Sequence, residues 1–402
     1  MQHAIQNGEG PETMAVRRLS LSNFRCYSSL RLTIELPIVA LTGPNGAGKT
    51  NILEAISFLV PGRGLRTANL EDIPRSDDVE NNHNKCWAVA ATVTGIDGTY
   101  EVGTGVSQEA SNGKLKRAVR INGVSARGQS VLNERLSVLW VTPEMQRLFT
   151  EGPSGRRRFL DRLVFGFDPA HAGRLKSFGK ASRERSLLIQ NEVHQGHKTD
   201  PRWLNVLEET MVEKGVAISA ARLALIDRLN PACAMGVGPF PSASLSVSGA
   251  LESWLLEMPA VEVEDRYRSY LKNARDLDST SRGKGIGPHI SDLFVVHTLR
   301  NMPASQCSTG EQKALLISIV LANARLQSLE RNATPILLLD EIAAHFDAPR
   351  RTALFKELQN LGAQTWMTGA DPSLFSELSG SVQNLSIDNG KLAEDSPKLL
   401  SI

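Results

Sequence analysis

Aromatic residues, cysteine and net charge are all scarce in this sequence, and each scarcity narrows its class. Phe, Trp and Tyr together make 5% of the 402 residues, and no helix-turn-helix, zinc finger or aromatic stacking module for nucleic acid is evident. The four cysteines, Cys26, Cys86, Cys233 and Cys307, stand too far apart for a CxxC pair or for the Cys/His spacing of a zinc site. They read as small buried hydrophobes of a reducing cytosol, so the expected location is cytoplasmic. Lysine and arginine number 45 against 43 aspartate and glutamate, a net +2, so total charge neither demands nor excludes a nucleic-acid partner. Such a partner has to be met by local patches. No apolar run approaches the roughly 18 residues of a membrane-spanning helix, and Met1 to Thr13 lacks the basic-then-apolar order of a signal peptide.

What is present is a globular composition, 41% hydrophobic and 22% charged, on a chain long enough for two or more structural units. Residues 1–13 read as a disordered tail or as the product of a misplaced start codon, because patterning begins at Met14. Strand-like runs follow at Val16–Leu21 and Leu30–Leu36, and Ile38–Leu41 is apolar throughout. A glycine-rich turn and a helical pattern over Ile52–Leu59 come next, then further strands between Cys86 and Trp140. From about 144 the period becomes helical, with helices expected over 170–195 and 202–229, each roughly 38 Å long. That is too short for a long coiled-coil arm. A Pro/Gly/Ser-rich stretch at 231–249 leads back to strand-like segments, with a glycine-rich loop at 279–287. A strand at 293–299, a helix at 309–329 and a buried strand at 335–340 complete the pattern. No repeat of about 20–50 residues is visible. The expected organisation is an α/β ATPase domain built from 15–145 and 285–390, split by a mainly helical arm at 146–284, with a tail from 391 to 402.

Gly43-Pro44-Asn45-Gly46-Ala47-Gly48-Lys49-Thr50 fits the P-loop pattern in full and lies between a strand and a helix, as its mechanism requires. Its glycines let the backbone curl so that N–H groups face phosphate oxygens. Lys49 adds charge at the β- and γ-phosphates, Thr50 offers a hydroxyl to Mg²⁺, and the helix N-terminus favours an anion. The chain is therefore expected to bind a nucleoside triphosphate, ATP, with Mg²⁺. Pro335-Ile336-Leu337-Leu338-Leu339-Asp340-Glu341 describes a buried parallel strand whose tip carries two carboxylates. Asp340 is expected to hold Mg²⁺ and Glu341 to polarise the attacking water. Asp340 lies 290 residues beyond Thr50, so an insertion divides the nucleotide fold. Between them, Ser308-Thr309-Gly310-Glu311 heads a helix and spells a capping box. The same residues resemble the signature motif of ABC-type ATPases, which meets the γ-phosphate held by a second subunit.

These marks, with Leu21-Ser22-Asn23-Phe24-Arg25, Arg156-Arg157-Arg158-Phe159-Leu160-Asp161 and Gly287-Pro288-His289, resemble the RecF family of bacterial recombination and repair ATPases, relatives of the SMC heads. The resemblance runs from about Val16 to Leu385. It implies nucleotide contacts from Gly43 through Asn51 and a place for Arg25 near the adenine or ribose. It also implies Gln146 as a magnesium-sensing glutamine and Asp347 acting across an ATP-dependent homodimer. Asp347 reads equally as an N-cap, since Ala348-Pro349 follows it. The implied role is recognition of gapped or single-strand/double-strand junction DNA, aiding RecR and RecO in loading RecA and supporting the SOS response and replication restart. ATP hydrolysis would be slow and weak, stimulated by DNA, and used as a switch. The sequence departs from the family at Ser308–Glu311, where Ser-Gln-Gly-Gln is usual, and at Ile290-Ser291-Asp292, where Arg-Asp-Asp is usual.

DNA contacts are expected from basic patches that neutralise phosphates without reading bases. Residues 151–190 carry nine basic against four acidic residues, with Arg156, Arg157, Arg158, Lys176, Lys180 and Arg183 as the candidates. The Arg156–Arg158 run also reads as partly structural through Asp161. A second group is Lys114, Lys116, Arg117, Arg120 and Arg127. The competing readings are an SMC-like structural chromosome ATPase, which lacks its long heptad arm here, a P-loop kinase for a small molecule, and an ABC transporter motor. A kinase would leave Ser308 and Glu341 unexplained.

Overall fold

A strand with no polar side must be covered on both faces, and Ile38–Thr42 is buried at all five positions. The computed structural model of the protein describes residues 12–75, 86–106, 115–195, 200–236, 238–275, 285–378 and 380–393. In chain order it contains β1 (Glu12–Thr13), β2 (Ala15–Phe24), β3 (Tyr27–Thr33), β4 (Ile38–Thr42), α1 (Lys49–Ser57), β5 (Trp87–Gly95), β6 (Gly98–Val106), β7 (Ala118–Ile121), β8 (Val124–Ser125), α2 (Val131–Arg135) and β9 (Val138–Val141). Then come α3 (Pro153–Phe165), α4 (His171–Gln195), α5 (Pro201–Ala234), β10 (Ala243–Ser248), α6 (Ala250–Glu257), α7 (Ala260–Asn273), β11 (Asp292–His297), β12 (Met302–Pro303) and α8 (Thr309–Arg331). The chain closes with β13 (Ala333–Thr334), β14 (Ile336–Leu339), α9 (Ala348–Leu361), β15 (Thr365–Gly369), β16 (Val382–Asp388) and β17 (Lys391–Leu392).

Two compact units divide the chain, one of residues 1–146, 236–240 and 316–402, the other of 147–235 and 241–315. The return to the first unit therefore falls inside α8, not near 285 as the sequence suggests. The reason is β11, which pairs antiparallel with β10 along six residues, Asp292 to His297 against Ser248 to Ala243, and so stays in the second unit. The expected tails also differ at their inner ends. Glu12–Thr13 pairs parallel with Ala333–Thr334, and Lys391–Leu392 forms a hairpin with β16. Residues 1–11 and 394–402 lie outside the described residues, as do 276–284 of the glycine-rich loop.

The first unit holds two six-stranded sheets. One runs β17-β16-β4-β15-β14-β9, parallel except for β17, and the other runs β3-β2-β5-β6-β7-β8, antiparallel throughout. In the shared core Phe24, Phe58 and Trp87 meet with ring centroids 5.2 to 6.0 Å apart. Arg117 is buried beside them and donates to the carbonyls of Phe58, Val60 and Gly62 and to Thr104 Oγ1. It satisfies acceptors that the end of α1 leaves open, and burial pushes its guanidinium down to about 9. Arg117 is thus structural and unavailable to DNA, and Lys114 of the same group lies outside the described residues.

The second unit is built around α4 and α5. They run antiparallel, since Arg185 meets Glu208 while His171 and Arg222 both reach Asp161. Helix α5 has 34 residues, about 51 Å at the usual rise, longer than expected. The segments after 249, read as strand-like, are helices α6 and α7. Val263, Tyr267 and Leu271 recur at helical spacing and are buried.

Asp161 anchors this unit. Arg222, 1% exposed, binds it through Nε and Nη2 at 2.8 and 2.9 Å, and His171 Nε2 lies 2.9 Å away. Burial pushes the Asp161 carboxyl up, but His171 and Arg222 outweigh it and hold it below the usual range. A carboxylate depressed in the fold contributes stability above its ordinary pKa of about 4, and that stability is lost as pH falls through the folded value. Arg222→Ala leaves the buried charge without its main partner and is expected to cost roughly 3–5 kcal/mol. The measurement is the urea midpoint at neutral pH. An unchanged midpoint would show that Asp161 does not depend on Arg222.

Candidate functional site

The turn between β4 and α1 can be made only with glycine. Gly43, Gly46 and Gly48 sit at φ 139°, 82° and 111°, a region that L side chains rarely adopt. A Cβ at Gly43 would lie 2.0 Å from the Ile387 carbonyl oxygen, and one at Gly48 would lie 2.6 Å from Cys26 Sγ. Helix α1 begins with no side-chain cap and no acidic residue in its first turn, so its open N–H groups and partial positive charge remain for an anion. Lys49 Nζ curls back to the carbonyls of Gly43 and Pro44 at 2.6 and 2.8 Å. Burial lowers its pKa, while Glu341 and Asp340 pull the other way.

Parallel pairing brings the distant acids to this loop. β14 lies beside β15, which pairs with β4, so the carboxyl ends of these strands share one edge. Thr50 Oγ1 donates to Asp340 Oδ1 and Oδ2 at 2.9 and 3.1 Å. Thr368 Oγ1 donates to Asp340 Oδ1 at 2.7 Å and accepts from the Glu341 N–H at 2.8 Å. Burial pushes the Asp340 carboxyl up against the pull of Thr368 and Thr50. Glu341 takes a left-handed φ of 56°, a conformation that costs of order 1–3 kcal/mol outside glycine. It lines a cleft of about 160 Å³ with Asn45, Gly46, Gly48, Lys49, Thr50, Asn51 and Arg66. The Thr50 hydroxyl and Asp340 carboxylate are hard oxygen donors of the kind Mg²⁺ takes alongside phosphate oxygens. Gln146 follows β9, the other neighbour of β14. Its buried amide nitrogen, a hydrogen-bond donor, has no hydrogen-bond partner among the described residues, and Gln146 is not among the residues that line the cleft.

Two arginines flank the P-loop helix, and one of them escapes sequence reasoning. Arg25 binds Glu54, which is buried, through Nε and Nη2 at 2.9 and 2.7 Å. Arg66 donates to Asn51 Oδ1 at 2.8 Å and reaches the same Glu54 at 3.4 Å. Only Arg66 of the two lines the cleft. Cys26, expected as a buried hydrophobe, is half-exposed, and its Sγ accepts from Asn51 Nδ2 at 3.1 Å.

In the second unit, Ser308 and Glu311 form the capping box. The Ser308 N–H and Oγ donate to Glu311 Oε2 at 2.9 and 2.8 Å, and Arg300 pairs with the same carboxylate group. Ser308 and Thr309 are exposed, and Gly310 is half-exposed. Asp347 in the first unit caps α9 by accepting from the Arg350 N–H at 3.0 Å. The basic run divides sharply. Arg156 is fixed on Asp292 by two bonds of 2.7 and 2.8 Å, and Arg157 donates to the Ser291 carbonyl at 2.9 Å. Arg156 is thus paired with Asp292 within the unit, while Arg157 bonds a neutral carbonyl and feels both Asp292 and Asp161 through space. Arg158, Lys176, Lys180 and Arg183, by contrast, are exposed. The last three recur at helical spacing on α4, and Lys180 has only a loose surface pairing with Glu184 at 3.7 Å, of little energetic weight.

No helix among the described residues is long and apolar enough to cross a membrane. The family model described as the RecF/RecN/SMC N terminal domain matches residues 15–391. A DNA replication and repair protein RecF of Mesorhizobium japonicum is 46% identical over 387 residues, covering 94% of this chain and 98% of its own. One from Brucella suis biovar 1 is 45% identical over 390 residues, covering 95% and 97%. The solved structure of the recombination mediator protein RecF-ATPrS in the RecFOR pathway matches with a TM-score of 0.80 at 20% identity, over 95% of this chain and 98% of that one. An Smc head domain from Pyrococcus furiosus, with an extended coiled coil and the C-terminal domain of ScpA, matches with a TM-score of 0.51 at 15% identity, over 94% and 96%. At such identities the structures speak for the fold alone. The family model and the close relatives both span nearly the whole chain, which belongs to the RecF family and has the P-loop ATPase head fold that RecF proteins share with SMC heads.

Proposed function

We propose that the chain is an ATP-dependent DNA-binding protein of replication and recombinational repair, acting as a homodimer closed by ATP. The observation that carries the reading is the Thr50–Asp340 hydrogen bond, which joins a complete P-loop to an acidic strand tip beside one cleft. The P-loop amides and Lys49 cradle the triphosphate. Mg²⁺, when bound, would supply charge neutralisation at the triphosphate, held by Thr50 and Asp340, with Gln146 as the magnesium-sensing glutamine that the family resemblance implies. Glu341 accepts a proton from water as its oxygen attacks the γ-phosphorus and the bond to the bridging oxygen breaks, giving ADP and phosphate. Arg25 positions the P-loop helix through Glu54. The Ser308-Thr309-Gly310 helix end meets the γ-phosphate held by a second copy in this reading, since a helix N-terminus suits an anion, and Asp347 acts across the dimer.

Binding and release of the nucleotide then shift the population between open and closed dimers, so slow turnover serves as a timer. Arg158, Lys176, Lys180 and Arg183 supply phosphate contacts on DNA with a gap or a single-strand/double-strand junction. In the pathway that RecF names imply, the DNA-bound dimer works with RecR and RecO to load RecA, and supports SOS induction and replication restart.

Fluorescence anisotropy of gapped, duplex and single-stranded DNA, with and without ATP-Mg²⁺, tests this. Glu341→Gln is expected to strengthen ATP-dependent binding by slowing opening, and Lys49→Met to abolish it. ATP changing affinity for none of these DNAs would contradict the proposal. Gly48→Ala probes the cradle itself. Its strained φ and clash with Cys26 predict at least about a tenfold loss of fluorescent-ATP affinity, since about 1.4 kcal/mol is one decade and strain of about 1–3 kcal/mol is expected. Unchanged affinity would show that the loop does not close on the phosphates.

A further inference from the structure

We infer that the open face of the antiparallel sheet in the first unit is a second docking surface, one that straddles the two phosphate backbones of duplex DNA. The inference rests on the DNA-binding reading above but uses residues of the first unit alone. One face of this sheet is buried by Leu19, Leu21, Leu30, Leu32, Val89 and Val102. On the other face Arg18, Arg31 and Arg120 are exposed. None of the three makes a hydrogen bond or ion pair with a side chain among the described residues. They differ in this from Arg156 and Arg117, whose guanidiniums are fully engaged.

Register sets the spacing of these charges. Arg31 on β3 is opposite Ser20, Ser20 opposite Ala90, Ala90 opposite Gly103, and Gly103 opposite Arg120 on β7. One straight row across five strands therefore carries an arginine at each end and only Ser, Ala and Gly between. Four inter-strand steps put these two arginines roughly 19 Å apart, with Ser125 on the edge strand β8 beyond Arg120. Arginines at that separation bracket the two backbones bordering a major groove about 12 Å wide. Arg18 and Arg120 also line a groove of about 350 Å³ on this face, with Ser20, Ala90 and Gly103 among its other residues.

The floor has no internal explanation at its centre. Ala and Gly are depleted in strands because they pack poorly. Gly105 is required, since a Cβ there would lie 2.2 Å from the Trp87 carbonyl oxygen. Gly103 is not required, because a Cβ there would meet nothing nearer than Arg120 Cβ at 3.9 Å. A flat floor between the two arginines lets a wide polyanion approach closely. The row from Arg31 to Arg120 carries no aromatic side chain, so it lacks the stacking platform that single strands use. Glu101, which also lines the groove, opposes the charge and leaves three arginines against one carboxylate.

The test compares wild type with Arg31→Ser/Arg120→Ser, Gly103→Trp and Glu101→Gln in anisotropy titrations of duplex DNA with ATP-Mg²⁺, across a salt series. Fluorescent-ATP binding and thermal melts confirm that each variant is folded. The double variant should bind at least about tenfold more weakly and lower the salt slope by about 2, roughly one for each phosphate that an arginine no longer neutralises. Gly103→Trp should weaken binding without changing charge, and Glu101→Gln should tighten it. Variants that match wild type in affinity and slope would overturn the surface while leaving DNA binding itself intact. Losses confined to single-stranded DNA would overturn the duplex assignment. A wild type that binds no DNA would overturn both the surface and the reading beneath it.

Discussion

The hydrogen bond from Thr50 to Asp340 is the constraint on which the rest of the first unit depends. Its partners are 290 residues apart, and neither has a use without the other. They meet because β4, β15 and β14 run parallel in one sheet, so the ends that carry the P-loop and the two acids fall on the same edge. Thr368, at the end of the strand between them, ties the two acids together. Its hydroxyl donates to Asp340 and accepts from the backbone of Glu341, holding Glu341 in a left-handed turn that it would not adopt alone. The strain there is local and sits at the residue proposed to handle the attacking water, as is common at functional sites.

The charges of the molecule fall into two kinds. Some are internal fasteners. Asp161 with Arg222 and His171 gathers α3, α4 and α5, Arg117 closes the end of α1, and Glu54 holds Arg25 and Arg66 beside the P-loop helix. Others face solvent, on α4 and on the open sheet face. A near-neutral total hides this division, because most fasteners set an acid against a base while the solvent-facing patches keep an excess of arginine and lysine.

This division also explains how much is legible in the sequence. The P-loop and the acidic strand are contiguous motifs whose chemistry is set by neighbours a few residues away, so their elements can be read directly. The capping at Ser308 and Asp347 is local for the same reason. Arg156 is not legible as a partner of Asp292, because that acid lies 136 positions further on and only the fold decides that they meet. The same holds for Arg117 among the carbonyls after α1, for Arg66 in the cleft, and for Thr368 between the acids. The late return to the first unit is hidden because β11 reads as a good strand for either sheet, and pairing with β10 settles the choice. Helices α6 and α7 escape the pattern because their apolar residues recur at a spacing that a short window also accepts as broken strand.

The most direct test of the shared site is a double-mutant cycle on ATP-Mg²⁺ affinity with Thr50→Val, Asp340→Asn and the pair, measured by calorimetry. If the two side chains form one site, their losses should be non-additive by about 0.5–3 kcal/mol. Additive losses, or none, would contradict the claim that this hydrogen bond marks a shared metal-nucleotide site.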